Sequence, residues 1–203
     1  MGSSRTIKHI SYFLFIFNTQ KTMFEEHAPQ IAHVGRPAPS FEAEGVDGKG
    51  QFHTYKLEDY QKKWLVLFFY PLDFTFVCPT EITEFSARYD EFKKLDADVL
   101  GMSTDSVHSH KAWLKELGEL RYPLLSDMNH TISEDYGVLI AEQGIALRGT
   151  FIVDPDGVLR YALYHDLGVG RSVDELLRVL QALQTGELCP ASWKPGKETL
   201  GKA

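Results

Sequence analysis

The chain has 203 residues, 43% of them hydrophobic, enough to bury one sizeable domain and short for two. A net charge of −7 and the lack of any long basic run argue against nucleic acid or an anionic membrane surface as the main partner. Two cysteines, not spaced as CxxC, exclude a disulfide scaffold and suit a cytoplasmic protein that uses them for chemistry.

Residues 1–22 fit no standard targeting pattern. Ile10–Phe17 is an apolar run behind Arg5 and Lys8, short of the about 20 residues a bilayer span needs. No small-x-small cleavage site follows before Met23, and Gly2 with Thr6 matches a myristoylation pattern only loosely. Met23 is read as the true start, and residues 1–30 are set aside as a poorly ordered leader and extension.

Gly35-Arg36-Pro37-Ala38-Pro39 predicts an extended lead-in, because a residue before proline avoids the helical region. Phe41–Val46 and Gln51–Leu57 predict a hairpin about Asp47-Gly48. Trp64–Tyr70 is β-prone and predicts a buried central strand. Pro79 to about Leu95 predicts a helix with Ile82, Phe85, Tyr89 and Phe92 on one face. Ala97–Ser103 is the next strand, and strand, helix, strand over this distance is a crossover joining parallel strands.

Ser106 can cap a helix reaching Leu117, with Val107, Leu114 and Leu117 inward. Thr131 and Glu134 suggest a capping box for a short helix ending at Gly137. Gly149–Val153 and Val158–Tyr164 flank Asp154-Pro155-Asp156-Gly157, a tight-turn signature. Ser172 and Glu175 suggest a second capping box, before a helix with Val173, Leu176, Leu177, Leu180 and Leu183 inward.

This order predicts an α/β, thioredoxin-like fold: a mixed central sheet flanked by helices, with an N-terminal β extension and a C-terminal tail. The domain spans 31–186 and the tail 187–203. No proline lies between Val138 and Val153, where a thioredoxin proper carries one, which with the missing CxxC argues against an ordinary dithiol thioredoxin.

The chemistry concentrates in FFYPLDFTFVCPTE, residues 68–81. Pro71 stops the strand, and Pro79 sits where a helix can start. Cys78 therefore falls at a helix N-terminus, where unpaired amides and the macrodipole favour a thiolate, the nucleophilic form. A small buried core cysteine is the alternative, but burial explains neither the flanking prolines nor the helix start. The run Pro71-x-x-x-Thr75-x-x-Cys78-Pro79-Thr80-Glu81 resembles the peroxidatic-cysteine motif of peroxiredoxins, in particular the typical 2-Cys group that includes the alkyl hydroperoxide reductase C subunit.

The resemblance implies a thiol-dependent peroxidase acting on hydrogen peroxide and organic hydroperoxides, with Cys78 as the attacking sulfur. Thr75 would turn its hydroxyl toward sulfur and peroxide, or else satisfy local backbone. Pro71 would shield the sulfur, simple strand termination being its other role. Arg148, in LRGTFIVD, matches the catalytic arginine; Arg171, in VGRS, matches a second; Glu81 would orient both. Without the resemblance each arginine reads equally well as a surface residue.

Oxidation leaves a sulfenic acid that condenses with a second thiol. Cys189, in CPASWKPG, resembles the resolving cysteine, which in typical 2-Cys relatives bridges two subunits of a dimer. The implied assembly is a homodimer, and a decamer of five dimers, with thioredoxin or a flavoprotein disulfide reductase as electron donor. A holdase chaperone ring and a thiol redox relay are the rival readings. Leu117-Gly118-Glu119-Leu120-Arg121 stands where peroxide-sensitive relatives carry GGLG, and no Tyr-Phe pair follows Cys189, which implies resistance to over-oxidation.

His108 and His110, two apart on a helix, make a poor metal pair and read as helix surface. Trp113 reads as core, and Trp193 as packing the tail at a subunit contact. No phosphate-cradling loop, zinc spacing or Ser-His-Asp order is present, so neither cofactor nor metal is expected.

Overall fold

The computed structural model describes residues 31–202; the leader and its start-site reading lie outside them. In chain order the elements are β1 (Glu42–Val46), β2 (Phe52–Lys56), β3 (Trp64–Phe69), α1 (Cys78–Ala87), α2 (Tyr89–Lys94), β4 (Ala97–Ser103) and α3 (Val107–Leu117). There follow β5 (Leu124–Ser126), α4 (Thr131–Asp135), β6 (Leu139–Ile140), β7 (Ile145–Ala146), β8 (Arg148–Val153), β9 (Leu159–His165) and α5 (Val173–Gln184).

The main sheet runs β2-β1-β5-β4-β3-β8-β9. Strand β3 lies parallel to β4 and antiparallel to β8, so the sheet is mixed as expected. Because side chains alternate along a strand, β3 feeds two cores. Val66, Phe68 and Tyr70 face α1, α2, α3 and α5, packing with Phe85, Phe92, Trp113 and Leu180. Leu65, Leu67 and Phe69 face the other side, with Met102, Tyr136 and Phe151 beside α4. A strand buried on both faces reads as an unbroken apolar run, which is why Trp64–Phe69 carries no charge.

Several local expectations change. The helix predicted from Pro79 to Leu95 breaks at Arg88, which leaves the helical region at φ −101°, ψ 11°. Tyr89 and Phe92 still pack inward after the break, so the apolar period continues across it and cannot reveal it. Leu57 enters a 3-10 turn over Leu57–Tyr60 rather than extending β2. The hairpin loop is longer than a two-residue turn: Asp47 Oδ1 accepts the amides of Lys49 and Gln51, and Gly50 takes the left-handed conformation at φ +78°. Gly48 is required for close approach, since a Cβ there would meet the Leu120 carbonyl at 1.6 Å.

Neither capping box closes fully. Ahead of α4 the cap is supplied from outside: Asp127 accepts the amides of Ile132 and Ser133, while Thr131 turns its hydroxyl to Asn129. At α5 Ser172 accepts the Glu175 amide, but the Glu175 carboxylate pairs with Arg178 instead of reaching back. The short strands β5, β6 and β7 have no sequence signal, because two or three residues are too few to show a period.

Candidate active site

Cys78 is the first residue of α1 and Pro79 the second, one position later than the sequence suggested. The helix has no side-chain N-cap; Val77 precedes it with helical φ and ψ, and its carbonyl accepts the Thr80 and Glu81 amides. The sulfur therefore sits at the positive end of a ten-residue helix. Cys78 is wholly buried, packed in the core layer with Ile82.

Two arginines converge on this helix from distant elements. Arg148, the first residue of β8, brings Nη1 to 3.4 Å from Cys78 Sγ and 2.6 Å from Glu81 Oε2. Its Nε donates to the Leu167 carbonyl at 2.9 Å, which fixes the plane of the guanidinium. Arg171, just before α5, donates Nε to Glu81 Oε1 at 2.8 Å and Nη2 to Oε2 at 2.9 Å. Its Nη1 reaches the carbonyls of Phe69 and Gly149, so Arg171 also ties β3 to β8. Burial pushes the Arg171 pKa below the usual guanidinium range, and the Glu81 carboxylate opposes that shift.

Glu81, Arg148 and Arg171 are all buried. One carboxylate against two guanidinium groups leaves one net positive charge in a site shielded from water, where charge is poorly tolerated. A negative sulfur at Cys78 would bring the cluster to neutrality. The site can thus hold an anion at sulfur and offer N–H donors to an oxygen that gains charge beside it.

Pro71 is buried just past the end of β3, and the loop from it to Val77 leads directly into Cys78. Thr75 is half-buried, and its hydroxyl donates to the Leu72 carbonyl at 3.0 Å. With its proton engaged, that oxygen presents lone pairs. Of the residues expected at the site, the fold thus gathers Glu81, Arg148 and Arg171 around Cys78, with Pro71 and Thr75 on the loop leading into it.

The family described as AhpC/TSA matches residues 34–162. The chain belongs to the AhpC/TSA family. The putative peroxiredoxin YkuU of Bacillus subtilis (strain 168) is 59% identical over 175 residues, covering 82% of this chain and 97% of that protein. The chloroplastic 2-Cys peroxiredoxin BAS1 of Spinacia oleracea is 55% identical over 184 residues, 85% of this chain and 69% of the relative. The reduced 2-Cys peroxiredoxin of Plasmodium vivax superposes with a TM-score of 0.80 at 40% identity, covering 82% and 92% of the two chains. The protein is a typical 2-Cys peroxiredoxin with a thioredoxin-like fold, and its activity is that of a peroxidase.

The second cysteine of this peroxiredoxin is not bonded to the first, and both thiols are free. Cys189 is half-buried against the end of α5, its sulfur 3.6 Å from Thr185 Oγ1 and 3.8 Å from the Ala182 carbonyl. The tail closes on itself, with Leu188 donating to the Gly201 carbonyl and accepting from the Leu200 amide. Trp193 is buried within its own chain: its indole donates to the Lys197 carbonyl, and its carbonyl accepts Arg178 Nη1 at 2.9 Å. Arg178 on α5 thus holds the tail to its own chain through the Trp193 carbonyl.

Sequence reasoning missed one group entirely. His108 is exposed as predicted, but His110, read as helix surface, has 0% exposure and lies with its Nδ1 2.8 Å from the carboxylate of buried Asp73. A signal existed: Val107, His110, Trp113, Leu114 and Leu117 share the helical stripe that faces the sheet. A polar residue on that stripe needs a partner, and Asp73 supplies it.

Proposed function

We propose that Cys78 reduces hydrogen peroxide and small organic hydroperoxides by direct attack on the O–O bond. The sulfur donates an electron pair to one oxygen, an S–O bond forms, and the other oxygen leaves as hydroxide or alkoxide and takes up a proton. Arg148 donates to the sulfur and to the oxygen that develops charge, Thr75 accepts the peroxide O–H, and Pro71 keeps water from the thiolate. Glu81 and Arg171 hold Arg148 in place. The observation that carries this reading is the 3.4 Å contact from Arg148 to Cys78 inside a buried cluster with one unbalanced positive charge.

The resulting sulfenic acid condenses with the Cys189 thiol of a second subunit, forming a disulfide and releasing water. Thioredoxin or a flavoprotein disulfide reductase then returns both thiols by exchange. The working unit is a homodimer, assembled as a decamer in the cytoplasm. Exposed apolar side chains on the active-site loop favour assembly, with Phe76 at 95% and Phe74 at 52% exposure. Among the described residues no helix is long and apolar enough to cross a membrane. Residues 31–186 form the catalytic domain and 187–203 the tail that delivers Cys189.

One equivalent of peroxide should convert the reduced protein to a dimer-sized band on non-reducing gels, absent in Cys78→Ser and Cys189→Ser. NADPH-coupled turnover with thioredoxin, and separately with a flavoprotein reductase, identifies the electron donor. A wild-type protein that consumes no peroxide, or bridges its cysteines within one chain, overturns the reading.

A further inference from the structure

The loop between β3 and α1 carries Pro71 and Thr75, yet most of it faces outward: Leu72, Phe74 and Phe76 are exposed. Among the described residues no backbone–backbone hydrogen bond ties residues 71–76 to another element, and Asp73-Phe74 form only a local turn. Something else must hold this segment still if it is to present a hydroxyl to a bound peroxide. Only Pro71 and Asp73 within it are buried.

Asp73 is tied on three sides. Its Oδ1 accepts the Tyr70 hydroxyl at 2.9 Å, its Oδ2 lies 2.8 Å from His110 Nδ1, and its amide donates to Asp105 Oδ2 at 2.9 Å. Asp105 is itself held by the Ser103 hydroxyl at 2.7 Å, at the end of β4. His110 Nε2 lies 3.0 Å from the Leu125 carbonyl of β5. That carbonyl can only accept, so Nε2 carries a proton. A second proton must lie between Nδ1 and the carboxylate, since two acceptors cannot approach to that distance without one. His110 therefore links the loop to the sheet through two hydrogen bonds, with both side chains of the pair sealed from water.

We propose that His110 is a positioning residue for the peroxidase reaction: through Asp73 it fixes the segment that sets Thr75 and Pro71 against Cys78. None of the bonds in this network touches the cluster of Glu81, Arg148 and Arg171. Loop and cluster are thus separately anchored, and the two halves of the site can be perturbed one at a time. The inference rests on the reading of Cys78 as the peroxide-reactive sulfur.

The test compares two reactions of the same sulfur. Reaction with hydrogen peroxide needs the loop; alkylation by iodoacetamide needs an accessible thiolate but not Thr75. In His110→Gln and Asp73→Asn the rate constant with peroxide should fall by about 10- to 100-fold, the scale of a misplaced reacting group. The alkylation rate should stay within about threefold, since the charges beside the sulfur are untouched. The double variant should be no slower than the slower single, as expected for partners in one network. Tyr70→Phe, which removes one hydroxyl and keeps the ring packing, serves if the other variants do not fold, and should show a smaller loss confined to peroxide.

Unchanged peroxide rates, or equal losses in both reactions, overturn the proposal. Failure of the underlying reading looks different: wild-type Cys78 would itself not react with peroxide.

Discussion

The carboxylate of Glu81 accepts three donors from Arg171, the backbone amide at 2.8 Å and two guanidinium nitrogens at 2.8 and 2.9 Å. Its fourth donor is Arg148 at 2.6 Å. Removing this acid strands two buried cations. Glu81→Ala is therefore expected to cost about 3–5 kcal/mol in urea unfolding, the scale for breaking a buried ion pair. Glu81→Gln should cost less, and both should slow peroxide reduction because Arg148 loses its support. A variant of wild-type stability would contradict the arrangement.

Arg148 is expected to matter in the transition state more than in folding. Stopped-flow measurement should find Arg148→Met slower with peroxide by about 10²–10³-fold, the range for losing one donor to a developing charge. Arg148→Lys should recover little, because one ammonium cannot serve the sulfur, Glu81 and the Leu167 carbonyl from a planar fork. Retention of most activity in Arg148→Met would remove the arginine from the mechanism.

The buried Tyr122 hydroxyl donates to the Ile82 carbonyl at 2.8 Å, and its ring packs edge-on to Phe68. Tyr122→Phe keeps the ring and should destabilise by about 1 kcal/mol, a typical buried hydrogen bond. Phe68→Ala removes the ring stacked on Phe85 at 4.4 Å and should cost about 3–5 kcal/mol. Thermal melts of both variants check the order.

Asp154 at the β8–β9 turn accepts the amides of Asp156 and Val158 and pairs with Arg160 Nε at 2.5 Å. Burial pushes its pKa up, but the Val158 amide and Arg160 outweigh that and hold it below the usual carboxylate range. A depressed pKa in the folded state means stability that is present above the unfolded value of about 3.9 and is lost as pH falls through the folded one. Asp154→Asn should therefore be less stable than wild type near neutral pH, with the gap closing in acid. A gap that widens below pH about 4 would reverse the sign argued here.

Cys189 competes with peroxide for the sulfenic acid at Cys78. After cycling with millimolar peroxide, mass spectrometry should find little Cys78 sulfinate in the wild type and abundant sulfinate in Cys189→Ser. The segment that replaces GGLG is anchored, with Leu120 buried and Arg121 paired to Asp90 at 2.7 Å. Ready sulfinate formation in the wild type would refute the expected resistance to over-oxidation.

Residues 68–81 determined more than any other stretch. An uncharged strand, a proline stop and a proline inside the first helical turn specify strand, loop and helix locally, and so place Cys78 at a helix start before any tertiary contact forms. The hairpins and α5 were legible for the same reason: turn residues and apolar period act within a few positions. The Arg88 break was not, because an apolar face can run on through a change of helix. Arg148 and Arg171 stand 70 and 93 residues from Cys78 along the chain (148 − 78 and 171 − 78), and nothing local distinguishes them from surface arginines. Only the pairing of β3 with β8 and the docking of α5 bring them to Glu81, and only burial makes their charges count. The same holds for His110: its place on the inward stripe was readable, but its partner came from the loop after β3, 37 residues earlier.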